Sequence, residues 1–259
     1  MPAPINKLKH ALANGEIQLG MWLNLGSGSA TEIVGATGYD WCLIDGEHAP
    51  FDPNTILEQL RVLGQFDTSA IVRVPVDEDW VIKQVLDLGA QSLLVPMVNS
   101  GAQAKSIVAA TQYAPRGVRG MGAGVARAAL YGHDADYATN ADHEICLILQ
   151  AETREAMKNI KDIAATDGVD AVFIGPADLS ADMGHLGNPG HPEVTAAIEK
   201  GIADIRAEGK AAGILSFDVA SFGHYAQLGV TFFGVGSEAS LLRASLQVNL
   251  AAARLAMQS

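Results

Sequence analysis

The sequence predicts an α/β barrel, and three observations carry that expectation. Eight short apolar runs, bounded by Gly or Pro, recur along the 259 residues, each followed by a segment of helical period. The runs are apolar at consecutive positions, the pattern of parallel strands covered on both faces. Polar and ionisable residues collect where several of these runs end. Eight strand–helix units in about 250 residues fit a single TIM (β/α)8 domain spanning 1–259. An open doubly wound sheet is the alternative.

Taken in order, Leu8 to Asn14 forms a short amphipathic opening helix. Gln18 to Leu25 is the first strand, turned by Gly26-Ser27-Gly28, and Thr31 to Ala36 is a helix closed by Gly38. Asp40 to Asp45 is the second strand. Asp52-Pro53 supplies an N-cap and first-turn pair for a helix over Asn54 to Leu63. Ala70 to Val74 and Ser92 to Met97 are the third and fourth strands, each followed by a helix: Asp79 to Leu88, ended by Gly89, and Ala102 to Thr111. Gln112 to His143 is irregular and rich in Gly, Arg and Ala. Strands then fall at Ile145 to Gln150, Asp170 to Ile174, Ala211 to Leu215 and Phe232 to Val235. The matching helices are Arg154 to Ala164, Pro192 to Ala207, Val219 to Leu228 and Ser240 to Met257.

Composition narrows the function classes. Almost half the residues are apolar, enough for one large core, and the formal net charge is −12. Such acidity disfavours nucleic acid and anionic membrane as partners. Cys42 and Cys146 lie inside apolar runs and read as small buried hydrophobes. Met1 to Ile17 is polar and interrupted, unlike a signal peptide, and no apolar run reaches the roughly 18 residues of a membrane helix. A cytoplasmic enzyme is the expectation.

Barrel enzymes place their chemistry at the C-terminal ends of the strands. Here the second strand ends in Asp45, Glu47 and His48, the third in Arg73, the fifth in Gln150 and Glu152, and the sixth runs into Asp178. Glu152 and Asp178 end strands that neighbour each other at about 4.8 Å. Carboxylates that close repel unless a proton or cation lies between them, and oxygen donors suit Mg²⁺ or Mn²⁺. The plainer alternative is that both cap the helices that follow. Gln150 shares a strand face with Glu152 and either donates to a carbonyl oxygen or is satisfied by backbone. Arg73 either stabilises charge developing on a substrate or pairs with Asp45 or Glu47. His48 suits general base work. The remaining histidines (His10, His133, His143, His185, His191 and His224) receive no role.

No lysine ends a strand, so Schiff-base chemistry has no candidate, and carbanion chemistry here would use a metal as electron sink. The Gly117–Gly124 run follows no strand, which argues against a dinucleotide site. It reads as a loop over the mouth, bringing Arg116, Arg119 or Arg127 near a distal substrate group. Gly234-Val235-Gly236-Ser237 could cup a phosphate after the last strand, but with no base beside it reads better as a tight strand–helix turn.

The motifs DWCLIDGEHAP, IVRVP, QSLLVPMV, ILQAETREAM and VDAVFIGPADLSADMG, in this order, resemble the metal-dependent (class II) pyruvate aldolases of the HpcH/HpaI family. The resemblance runs from about Gly20 to Leu242. It implies a TIM barrel whose last helix is exchanged between subunits, usually in a homohexamer. It implies reversible cleavage of 4-hydroxy-2-oxo acids to pyruvate, or a related 2-keto acid such as hydroxypyruvate, and an aldehyde, with Mg²⁺, Mn²⁺ or Co²⁺. A metal-dependent lyase or decarboxylase acting on another 2-keto acid, such as oxaloacetate, is the second expectation. By motif match, Glu152 and Asp178 would hold the metal, while Gln150 and the backbone of Ala177 and Asp178 would hold the keto acid. Arg73 would stabilise charge, and His48 would be the base. Asp45 and Glu47 would orient His48 or the metal's waters. The family gives Asp87 a part in raising the histidine's basicity, which from the end of a helix requires a neighbouring subunit. The sequence departs from familiar members at Leu215 and Phe217, expected to shape the aldehyde pocket.

Overall fold

The computed structural model describes residues 3–50 and 52–258, so positions 1, 2, 51 and 259 of the expected domain lie outside the described residues. Eight parallel strands close on themselves in sequence order. They are β1 (Gln18–Leu23), β2 (Trp41–Asp45), β3 (Ser69–Arg73), β4 (Ser92–Val95), β5 (Cys146–Ala151), β6 (Ala171–Ile174), β7 (Ala211–Leu215) and β8 (Val230–Ser237). Pairing of β1 with both β2 and β8 completes the barrel. The open doubly wound sheet is thereby excluded.

Helix α1 (Lys7–Ala13) precedes β1; α2 (Gly28–Gly35), α3 (Pro53–Leu63), α4 (Asp79–Asp87) and α5 (Gly101–Thr111) follow the first four strands. Short α6 (Tyr137–Asn140) lies in the irregular segment before β5. Then come α7 (Arg154–Lys158), α8 (Ile160–Ala164), α9 (Pro176–Asp182), α10 (Pro192–Ala207), α11 (Phe222–Gln227) and α12 (Glu238–Ala256).

Two apolar layers hold the barrel. Val, Ile and Leu on the outer strand faces pack against the helices. Inside, Trp22, Trp41, Phe173 and Phe232 meet with ring centroids 4.5 to 5.6 Å apart, and Leu8 and Leu12 of α1 join this inner cluster. Offset and edge-to-face contacts of this kind add to the area they bury. The rings occupy space that glycines leave free: a Cβ at Gly213 would sit 2.5 Å from Phe173 and 2.7 Å from Phe232. Both cysteines are buried and unpaired, as expected.

Several expectations need correction. The single helix over Arg154 to Ala164 is two, α7 and α8, meeting at Asn159, whose side chain donates to the Asn99 carbonyl at 2.7 Å. Helix α9 lies where no element was expected. Strand β4 stops at Val95, because Pro96 follows and Met97 takes a left-handed φ of 57°. The Gly117–Gly124 loop does not cover the mouth. It connects α5 to β5 and therefore lies at the opposite, N-terminal end. There Arg119 is buried, its Nη2 donates to Asp87 at 2.8 Å, and Arg127 donates to the Leu88 carbonyl at 2.7 Å.

Helix α12 leaves the barrel. Only its first turn is covered, and Leu241, Leu242, Leu246, Val248, Leu250 and Leu255 are exposed. Among the described residues, no helix is long and apolar enough to cross a membrane.

Filling the inner layer should destabilise the barrel. Gly213→Ala is expected to cost about 1–3 kcal/mol, the usual size for overpacking a core. Thermal or denaturant unfolding of the variant measures this directly.

Candidate active site

The register of β2 and β3 sets Asp45 opposite Arg73 at the C-terminal mouth. Both are buried. Arg73 Nε donates to Asp45 Oδ1 at 2.9 Å and Nη2 donates to Oδ2 at 2.7 Å, a bidentate pair. Asp45 Oδ1 also accepts the backbone amides of Glu47 at 3.0 Å and His48 at 3.3 Å, which shapes the turn after β2. Asn24, just past β1, donates to Oδ2 at 2.6 Å. Burial would raise the Asp45 pKa, but the guanidinium and the amides outweigh it and hold the carboxyl below its ordinary 3.8.

The third guanidinium nitrogen of Arg73 lies 2.9 Å from Glu47 Oε2. That contact is an ion pair without an aligned hydrogen bond, since Oε2 has no hydrogen-bond partner. Arg73 therefore does pair with Asp45 and Glu47, the structural alternative foreseen for it. His48 Nε2 is 3.9 Å from the same Glu47 oxygen, and its side chain is 63% exposed, so the ring is open to a substrate.

Glu152 follows β5 and is fully buried. Its Oε1 accepts the Met97 amide at 3.0 Å, and its Oε2 accepts Gln150 Nε2 at 2.5 Å. Burial, with added repulsion from Asp178 and Glu47, pushes its pKa up to about 7 despite those two bonds. Glu47 is likewise raised, first by burial and then by Asp45 and Asp178, against the pull of Arg73 and His48. Asp178 stands in the first turn of α9, whose N-cap Gly175 offers no side chain. A Cβ at Gly175 would lie 2.4 Å from Glu152 Oε2, so glycine is what lets the two segments approach.

A cavity of about 240 Å³ opens here, lined among others by Trp22, Asn24, His48, Arg73, Gln150 and Asp178. Ala177, Leu215 and Phe217 line it too. No lysine does so among the described residues, so the mouth offers no amine for a Schiff base. Asp87 is not brought here. It ends α4 at the far end of the barrel, paired with Arg119.

A divalent cation fits these donors. Asp45, Glu47, Glu152 and Asp178 set four carboxylates against one guanidinium, and the Gln150 Oε1 is buried without a partner. Among the described residues neither Glu152 nor Asp178 has a salt bridge to a cationic side chain, so both could hold a hard ion. Sequence reasoning missed Asn24, because β1 was drawn through it. It missed Trp22, which stands 6.0 Å from the Arg73 guanidinium, and the Met97 amide, which no side-chain signal marks.

A closed (β/α)8 barrel whose mouth is rich in carboxylates and, among the described residues, lined by no lysine defines the class. Residues 18–245 match the family described as HpcH/HpaI aldolase/citrate lyase, and the chain belongs to that family. It is 52% identical over 238 residues to the hydroxypyruvate/pyruvate aldolase of Agrobacterium fabrum, covering 92% of this chain and 90% of that protein. The 4-hydroxy-2-oxo-heptane-1,7-dioate aldolase of Salmonella dublin is 48% identical over 237 residues, with coverage of 92% and 90%. The crystal structure of an HpcH/HpaI aldolase/citrate lyase family protein from Burkholderia cenocepacia superposes with a TM-score of 0.93 at 37% identity, covering 96% of this chain and 99% of that one.

The raised Glu152 pKa has a stability consequence. The folded apoprotein keeps a proton on this carboxylate between the ordinary 4.5 and about 7, where the unfolded chain releases it. Stability contributed by this group therefore falls as pH rises through that window. Metal-free protein should melt lower at about pH 8 than at about pH 5.5, and Mg²⁺ should restore the loss at the higher pH. Scanning calorimetry of wild type and Glu152→Gln checks this, since the variant should lack that component.

Proposed function

We propose that this chain catalyses the reversible aldol cleavage of 4-hydroxy-2-oxo acids to pyruvate, or a related keto acid such as hydroxypyruvate, and an aldehyde. The observation that carries the reading is the buried Glu152, joined to Gln150 whose Oε1 is buried without a partner, beside a mouth that no lysine lines among the described residues. Glu152 and Asp178 would hold a divalent cation, Mg²⁺, Mn²⁺ or Co²⁺. When bound, it supplies Lewis-acid polarisation of the keto acid and a sink for enolate charge.

The chain's own groups do the rest. Gln150 and the backbone amides of Ala177 and Asp178, at the uncapped start of α9, bind and orient the keto acid. His48 accepts the proton of the C4 hydroxyl, the C3–C4 bond breaks, and its electron pair passes into the C2–C3 enolate. Arg73 stabilises that developing negative charge, and Asp45 keeps the guanidinium in place. A proton delivered to C3 gives pyruvate, and the aldehyde leaves past Leu215 and Phe217. Asp87 could meet His48 only across a subunit interface. The exposed apolar residues of α12 support such an assembly, a homo-oligomer with exchanged last helices.

Chelation should abolish cleavage, and Mg²⁺ or Mn²⁺ should restore it. An assay with pyruvate, an aldehyde panel, EDTA and borohydride decides the point. Activity that survives EDTA, or that borohydride destroys in the presence of pyruvate, would sink the metal mechanism. Arg73→Ala should lower kcat by on the order of 10²–10³, the cost of one oxyanion donor. A near-wild-type rate in steady-state kinetics would remove Arg73 from the chemistry.

A further inference from the structure

His185, His191 and Glu193 gather outside the mouth cavity, at the turn between α9 and the start of α10. Each offers a ligand atom, and these atoms lie within 4.8 Å of one another. His185 Nε2 and Glu193 Oε2 are 2.9 Å apart, and the His185 side chain is only 23% exposed. The two imidazoles stack with centroids 3.5 Å apart and planes 14° from parallel.

We propose that His185, His191 and Glu193 form a binding site for a borderline transition-metal ion such as Zn²⁺, separate from the barrel mouth. Two imidazoles and one carboxylate are a donor set that zinc accepts, with water completing the coordination. The donor chemistry separates the two sites. The mouth offers oxygen, which suits Mg²⁺ and Mn²⁺, whereas imidazole nitrogen suits Zn²⁺, Ni²⁺ and Cu²⁺ and is poor for Mg²⁺. The rings must turn out of their stack for both in-plane lone pairs to meet one ion, and two further features oppose it. The Glu193 amide donates to His191 Nδ1 at 3.3 Å, and Arg154 adds positive charge. The first contact is long and readily given up, and the Glu193 carboxylate answers the second. Bound there, the ion clamps the turn over residues 183–191 onto α10. The Arg154 amide, donating to Asp182 at 2.7 Å, ties that same region to α7.

Calorimetric titration with Zn²⁺, in excess Mg²⁺ and in a Glu152→Gln background, isolates the cluster from the mouth. The expected result is one Zn²⁺ equivalent and a higher Tm on binding. Adding His185→Gln and His191→Gln together should remove both effects, with circular dichroism verifying the fold. Glu193→Gln, which keeps both rings, should weaken binding by roughly tenfold or more. His224→Gln is the control, since it breaks another exposed pair, with Glu199 at 2.8 Å. The proposal fails if no equivalent binds, or if neither the double histidine change nor Glu193→Gln alters binding. It also fails if the His224 control loses as much, which would mark adventitious surface binding only.

Discussion

The pair between Arg73 and Asp45 is the constraint on which the mouth depends. It exists because β2 and β3 align in a register that makes these two residues direct partners. A slip of one strand by one residue would turn its member of the pair to the outer face and separate the two side chains. The same carboxylate then accepts the amides of Glu47 and His48, so the turn presenting His48 is anchored to the sheet through one buried group. Breaking a buried pair of this kind leaves an uncompensated charge, which is strongly destabilising. Barrel register and site geometry are therefore one problem with one solution.

Around that pair the mouth separates its acids by environment. Asp45 is buried but surrounded by donors, and its pKa falls. Glu152 is as deeply buried with only two donors and other carboxylates nearby, and its pKa rises. The difference is the number and charge of hydrogen-bond partners, not depth. One carboxylate is thus pushed toward its charged form beside a guanidinium, while burial pushes the other toward its protonated form. Met97 adds to this arrangement. Its left-handed backbone is strained for a residue with a side chain, and it aims an amide at Glu152.

The repeat of apolar runs made the barrel legible, since each run is long enough for a strand and too short for most helices. The ends of those runs made His48, Arg73, Gln150, Glu152 and Asp178 legible as a group. Less visible was anything that depends on backbone shape or on the far side of a connection. Helix α9 hides in Pro176–Asp182 because seven residues carry too little periodicity to register. The placement of Arg119 was misjudged because a loop between a helix and the next strand must return to the N-terminal end of the barrel. His185 and His191 looked unremarkable singly, six residues apart, and acquire meaning only when the turn stacks them.

The sequence by itself determined the alternation of strand and helix, the end of the barrel where chemistry collects, and the residue types available there. Periodicity and strand-end position suffice for that, because both are local. Only the tertiary structure decided which groups meet. Arg73 is held between Asp45 and Glu47, Asn24 joins them from just past β1, and Glu152 has two donors and lies near Asp178. Those outcomes follow from sheet register, burial and the summed field of neighbouring charges, none of which is carried by any one stretch of chain.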